Sequence, residues 1–281
     1  MHAHDPMAHL APSPVADVCW ACGAGPMTSS SWLAPLPFVE CAECGFNQRV
    51  APGDAAREHY VHDQYAQDRS GDFVGAELDN RRRDARARLR FIGRHARAGA
   101  LLDVGTAGGA FLLEAAAVGH AARGIEPTPS FAAYARDHLG LDVQTAAIED
   151  ADLPDHGLDI VTMWHVLEHL ESPLAALRRV HHALRPGGLL AIEVPNAGSG
   201  IARAMRTSWS MLEPDVHVGQ FTPVAAGRLV ERAGFAVRQI ELVSILAYVQ
   251  PWARVAPRAL VHRLKWRRQP KELLRVAAVA R

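Results

Sequence analysis

His165, Glu168 and His169 form the pattern H-x-x-E-H in the pentapeptide HVLEH. Two imidazoles and a carboxylate at that spacing can hold a zinc ion and a general base, the apparatus of metal-assisted peptide hydrolysis. A second set of metal-seeking residues lies near the N-terminus. Cys19 and Cys22 stand in CWACG, Cys41 and Cys44 in CAECG, with eighteen residues between the pairs. Each C-x2-C lets one tight turn aim two thiolates at one ion, and the glycine after each pair can take positive φ behind the turn. Four sulfurs make a closed tetrahedral site with no open position, so the expectation is structural Zn2+ in a ribbon, contributing stability and no chemistry. All four cysteines of the chain are used in this way.

The elements around HVLEH decide whether its histidines can act together. From Ala100 onward, short apolar runs alternate with helical segments: ALLDVG, AARGIEP, LDVQTA, LDIVTMW and GLLAIEVP read as strands. GAFLLEAAAVG and PSFAAYARDHLG read as helices closed by Gly119 and Gly140. Such alternation predicts a parallel sheet covered on both faces, an α/β Rossmann-like doubly wound fold whose ligands bind at the C-terminal strand ends. LDIVTMW then delivers His165 to a strand end, and Ser172-Pro173 reads as the cap and first residue of the next helix. HVLEH therefore lies in a strand-to-helix connection. Its two histidines need not share a face, and no third zinc ligand is evident from the sequence.

Strand one runs into LLDVGTAGGAFL, where Gly105, Gly108 and Gly109 permit a sharp turn and a close approach of backbone to ligand. Glu126 ends strand two, 23 residues after Asp103, and an acid so placed can accept hydrogen bonds from both hydroxyls of a ribose. The loop is not the strict G-x-G-x-x-G of dinucleotide binders. It resembles that of the class I S-adenosylmethionine-dependent methyltransferases, whose first motif D/E-x-G-x-G-x-G is matched by Asp103, Gly105, Ala107 and Gly109. The resemblance continues through GIEP, LDIVTMWHVLEHLESPLAAL and ALRPGGLLAIEVPN, roughly Arg86 to Leu246, and implies a mostly parallel seven-stranded sheet. It further implies that Asp103 and the loop Gly105, Thr106, Ala107, Gly108 and Gly109 hold the methionine end of S-adenosyl-L-methionine, and that Glu126 binds the ribose. Ile148 and Glu149 would flank the adenine, with Trp164 and His165 beside the sulfonium and the acceptor. Ala107 departs from the usual glycine, and its methyl group would crowd the cofactor. HVLEH is by this resemblance the motif after strand four. Relatives with an acid in place of His165 can hold a divalent cation near the E-H pair.

After strand five, SWSMLEPDVHVGQFTPVAAGRLVERAGF carries Trp209, Met211, Leu212 and His217, with Thr222-Pro223 capping a helix that stops at Gly234. Its H-x-x-x-FT stretch (His217, Phe221 and Thr222) resembles an insert that lies over the acceptor pocket of related methyltransferases. Histidine suits proton removal from a hydroxyl near neutral pH. His165 is the first candidate for that role and His217 the second. Tyr60 and Tyr65 are expected to line the cofactor cleft. The arginines between Arg81 and Arg97 are interleaved with Ala85, Ala87, Leu89, Phe91 and Ile92, the pattern of a helix with one packed face.

The 281 residues carry no net charge, yet nine of the Lys/Arg and only one acid, Glu272, fall from Pro251 to Arg281. That stretch reads as a basic amphipathic tail able to touch an anionic membrane surface. The start of the chain has neither a basic nor an apolar signal-like region, and no run is apolar enough to span a bilayer. The expectation is a soluble cytoplasmic protein divided as 1–16 (disordered), 17–50 (ribbon), 51–99 (helical linker and lid), 100–250 (methyltransferase domain) and 251–281 (tail). The leading function is O-methylation of a small-molecule or saccharide acceptor. Ribosomal RNA methylation and sugar C-methylation are alternatives, nucleic acid being disfavoured by the neutral charge. A non-enzymatic interaction module on a degenerate cofactor domain is the third, and Ala107 is its only support.

Overall fold

A computed structural model describes residues 18–50, 78–244 and 271–281. Three short strands come first: β1 (Thr28–Ser29), β2 (Phe38–Glu40) and β3 (Asn47–Arg49). The main domain follows as α1 (Leu78–Ile92), β4 (Ala100–Val104), α2 (Ala110–Ala117), β5 (Ala121–Glu126), α3 (Pro129–Leu139), β6 (Val143–Thr145) and β7 (Leu158–Trp164). It continues with α4 (Pro173–Ala183), β8 (Leu184–Pro195), α5 (Gly200–Met205), β9 (Gly219–Gln220), α6 (Pro223–Arg232), β10 (Phe235–Val243) and β11 (Leu273–Ala280).

Seven strands form one sheet in the order β10-β11-β8-β7-β4-β5-β6. Only β11 runs against its neighbours, and β8, β7, β4, β5 and β6 are mutually parallel. This is the mostly parallel, Rossmann-like sheet the alternation predicts. Strands buried on both faces read as continuous apolar runs, which is why ALLDV and LDIVTMW stand out.

The same rule explains one correction. The stretch read as a basic tail ends in LLRVAAVA, which is β11, lying between β8 and β10 near one side of the sheet. Averaging charge over 251–281 concealed eight residues containing one cation. The cationic part, residues 251–270, lies outside the described residues, as do Tyr60, Tyr65 and residues 1–17.

The ribbon is not a separate appendage. Its three strands join β9, contributed by the insert after β8, in a four-stranded sheet ordered β1-β2-β3-β9. Phe46 packs against Phe221 with the rings tilted at 54° and their centroids 4.8 Å apart. One apolar core holds Cys19, Cys41, Cys44 and Phe46 together with Val161, Met163, Phe221 and Leu229.

Helix α1 packs as expected, with Ala85, Phe91 and Ile92 buried. Three of its six arginines are paired with acids: Arg82 and Arg86 bind Glu114 on α2, and Arg88 binds Glu193 on β8. No helix among the described residues is long and apolar enough to cross a membrane.

Candidate active site

Three connections meet at the C-terminal ends of β4, β5 and β7. The glycine loop leaves β4 with Gly105 at φ +70°, where a Cβ would lie 2.5 Å from Val166 Cγ2. Glycine is thus required there, and the same contact sets the loop directly against the residue after His165. Ala107 also has positive φ, +48°, and donates its amide to Glu126 Oε2 at 2.7 Å. Glu126 Oε1 accepts from the Thr128 amide at 2.9 Å. Burial raises the Glu126 carboxyl above its ordinary range. Asp103 is fully enclosed and accepts from Thr162 Oγ1 at 2.5 Å, and burial pushes its pKa up to about 7.

At the next strand ends the chemistry changes. His165, at φ +57°, donates its amide to the Glu193 carbonyl at 2.8 Å. Its Nδ1 lies 3.1 Å from Glu168 Oε1 and its Nε2 3.4 Å from Glu193 Oε1. Burial alone would lower this histidine's pKa, but the two carboxylates outweigh it and push the value up to about 9. Burial opposes ionisation of Glu193 too, yet Arg88, His165 and Arg275 hold it well below the usual carboxylate range. A histidine held as imidazolium cannot take a proton, so the base role expected of His165 does not fit its surroundings.

The partners of HVLEH are also not those of a zinc peptidase. Leu167–His169 form one turn of 3-10 helix, and His165 faces Glu193 while His169 turns away. His169 Nδ1 lies 3.0 Å from the Val216 carbonyl, and His217 Nδ1 lies 2.9 Å from that of Met211. A carbonyl can only accept, so both rings carry their proton on Nδ1 and present Nε2 as a lone pair. Burial pushes His169 down to about 3, and it lowers His217 as well, leaving both neutral. The rings meet edge to face at 4.5 Å, and Glu168 joins them with ligand-capable atoms all within 4.8 Å of one another. The sequence shows no third partner for the E-H pair, because His217 arrives from 48 residues further along.

Trp164 is buried between Phe111 of α2 and the Arg88 guanidinium of α1. Ile148 is buried in the core below the β6 connection and Glu149 is exposed beside it. Missed by sequence reasoning were Glu193, Arg88 and Arg275. Glu193 was readable only as a lone acid in the apolar run LLAIEVP.

In the ribbon, the Sγ atoms of Cys19 and Cys44 are 3.6 Å apart and those of Cys22 and Cys41 3.5 Å apart. A tetrahedron with Zn–S of about 2.3 Å has edges of roughly 3.8 Å, whereas a disulfide needs about 2.05 Å. The four thiols therefore fit zinc. Gly23 at φ +79° and Gly45 at φ +69° close the two knuckles as expected, donating to the carbonyls of Cys19 and Cys41.

Residues 77–240 match the family described as "Methyltransferase domain". This chain is a member of that family. It thus belongs with the class I S-adenosylmethionine-dependent methyltransferases, and the ribbon lies outside the matched region. A ubiquinone biosynthesis O-methyltransferase of Cereibacter sphaeroides is 32% identical over 128 residues, 44% of this chain and 49% of that one. The chain thus spans about half the length of that relative. A protein of the same description from Xanthomonas euvesicatoria is 30% identical over 185 residues, 60% of this chain and 76% of that one. The fold is shared with a Thermotoga maritima S-adenosylmethionine-dependent methyltransferase described as a possible histamine N-methyltransferase. That structure has a TM-score of 0.58 at 17% identity, covering 79% of this chain and 100% of the other. A Mesorhizobium loti methyltransferase gives 0.53 at 20% identity, with 68% and 96% covered.

Proposed function

We propose that the protein transfers a methyl group from S-adenosyl-L-methionine to a hydroxyl of a small molecule. The observation that carries this reading is the arrangement at adjacent strand ends: a glycine loop with two buried acids, set against His165 between two carboxylates and two imidazoles whose Nδ1 atoms face backbone carbonyls. Asp103 and the loop 105–109 would hold the methionine end, Glu126 the ribose, and Ile148 and Glu149 the adenine. Trp164 and His165 would border the transferred methyl. A sulfonium is already activated, so the protein's work is alignment and proton removal. His217 supplies the base in this reading, because its Nε2 is unprotonated at neutral pH. His165, with its ring nitrogens turned to Glu168 and Glu193, would anchor that wall of the site without exchanging a proton. The relatives named for ubiquinone biosynthesis O-methylation support oxygen as the target. Three of the six α1 arginines are paired with acids, which lessens the case for an RNA acceptor on this helix.

Glu168 Oε2 is buried without a hydrogen-bond partner among the described residues, and this favours a second reading. A divalent cation between Glu168, His169 and His217 would then acidify the acceptor hydroxyl in place of a base. The experiment is calorimetry with S-adenosyl-L-methionine, followed by mass analysis of phenolic and catecholic compounds incubated with enzyme and cofactor. No binding at millimolar cofactor would overturn both readings. Methylation that survives a chelator sparing the cysteine site would overturn the second.

A further inference from the structure

The ribbon is tied to the segment that carries His217, and to the helix after it, by a series of hydrogen bonds. Strand β3 begins three residues after Cys44 and pairs with β9, Asn47 opposite Gln220 and Gln48 opposite Gly219. The pairing continues as the Arg49 amide donates to the Val218 carbonyl at 2.9 Å, and the Arg49 guanidinium to that of Asp215 at 3.2 Å. Gln48 ties the same strand to the first knuckle, accepting from the Trp20 amide and donating to the Val18 carbonyl. On β9, the buried Gln220 turns its Nε2 back into the insert. It donates to the carbonyls of Leu212 at 3.0 Å and His217 at 3.2 Å, bracketing the turn whose Met211 carbonyl fixes the His217 ring.

Helix α6 closes the arrangement. Its cap, Thr222, donates Oγ1 to the carbonyl of Cys44 at 2.6 Å and accepts from the Ala225 amide. Arg232 donates to the carbonyls of Trp20 and Ala21, and Arg228 to that of Glu43. Those carbonyls belong to the two knuckle turns, whose shape depends on four thiolates meeting one ion. Among the described residues, no hydrogen bond ties the ribbon to the glycine loop.

We propose that the metal-loaded ribbon is the support of the acceptor-side insert, and that Gln220 is the positioning residue that transmits its order to His217. This rests on the reading of His217 as the acceptor-side base, but it can be measured without an acceptor. Ribbon disorder would free β9 from β3, release the Gln220 side chain and let the His217 ring abandon the Met211 carbonyl. The glycine loop, anchored on β4 and β5, would keep its structure and its cofactor.

Long-range 1H–15N spectra of the histidine rings, assigned with His217→Gln, and amide exchange provide the test on the full chain. In zinc-loaded protein His217 should be a single Nδ1–H tautomer, with slow exchange at 217–220. Stripping zinc with a chelator should average the tautomers and speed exchange there by about tenfold or more, with β4, β5 and cofactor affinity unchanged. Gln220→Ala should reproduce the loosening of His217 while retaining its zinc. An unchanged His217 after stripping would overturn the coupling. Loss of β4 and β5 protection along with the ribbon would also overturn it, because the effect would then be global. A zinc-loaded Gln220→Ala with His217 still fixed would remove Gln220 from the path. Failure of the methyltransferase reading would appear separately, as absent cofactor binding in the loaded wild type.

Discussion

Asp103 and Glu126 end adjacent strands and are satisfied by neutral donors drawn from the loop and strands beside them: the Thr162 hydroxyl and the amides of Ala107 and Thr128. Glu168 and Glu193, on the other side of that loop, face charged partners instead. Arg88 comes from α1, Arg275 from β11 and His165 from the β7 connection, and the neutral His217 lies near Glu168. The first group joins neighbouring strand ends, Thr162 lying 59 residues from Asp103, and answers its acids with neutral donors in direct contact, so burial still raises both carboxyls. The second is assembled from five distant segments and needs every member present, because a buried charge that loses its partner remains buried. Construction from neutral donors tolerates change residue by residue. Long-range construction couples residues, and it is where reactivity can be tuned.

His217→Ala should separate the two sides most sharply. If His217 is the base, turnover falls by roughly 10²–10⁴-fold while calorimetric cofactor affinity stays at the wild-type value. A loss of cofactor affinity in that variant would show that the two sides are one unit.

Glu193→Ala leaves Arg88, Arg275 and His165 converging on an empty position. Breaking a buried charge network by removing one member costs about 3–5 kcal/mol, measurable by denaturant unfolding. Glu126→Ala, on the other side, should cost about 1.5–3 kcal/mol of cofactor affinity through lost charge-assisted hydrogen bonds to the ribose, with a smaller loss of stability. A Glu193 variant as stable as the Glu126 variant would erase the contrast.

Proton linkage gives the charged side a signature of its own. His165 has a folded pKa of about 9, above its ordinary 6.5, so its stabilisation is full below 6.5 and lost as pH rises through 9. His169, lowered by burial to about 3, behaves oppositely: its contribution is full above 6.5 and lost as pH falls towards 3. Below the ordinary carboxylate range, Glu168 and Glu193 add to the acid-side loss, since both are held below their usual values. The contribution of the charged side should therefore peak near pH 6.5, with His165→Gln flattening the alkaline limb and His169→Gln softening the acid one, while Asp103 and Glu126, raised by burial, act in the opposite sense on the acid side. An alkaline limb that persists in His165→Gln would show that the imidazolium is not its source.

The same contrast explains what was legible in the sequence. Periodicity and glycine placement gave the parallel strands, the loop and the two acids at the strand ends, since each of these shows in a short run of sequence. Cysteine spacing gave the knuckles. HVLEH was legible as a loop but not as a charge network, because its partners Glu193, Arg275 and His217 lie in other segments and look like isolated polar residues. Strand β11 was lost for a different reason: one charge average was taken over two unlike halves, the basic 251–270 and the apolar LLRVAAVA. The attachment of the ribbon to β9 rests on a two-residue strand, Gly219–Gln220, too short to leave any periodic signal.

The smallest expected effect lies at Ala107, where the neutral-donor side departs from its own pattern. A non-glycine residue at φ +48° sits in the left-handed region, at a cost of roughly 1–2 kcal/mol. Glycine would remove that strain but would add backbone freedom to the unfolded chain, worth about 0.5–1 kcal/mol in the opposite direction. Ala107→Gly should therefore raise unfolding stability by about 1 kcal/mol or less. Its effect on cofactor binding separates two views of the loop. The Ala107 amide is already committed to Glu126, so the strained geometry is built and the methyl group need only avoid the ligand. On that view affinity is unchanged or rises slightly on substitution, and calorimetry on both proteins measures it. A gain well above tenfold, on the order of 1.4 kcal/mol or more, would mean that the alanine methyl intrudes on the cofactor. The neutral-donor side would then be the compromised half of this enzyme, and its tolerance of single changes would be refuted at the residue where it is easiest to see.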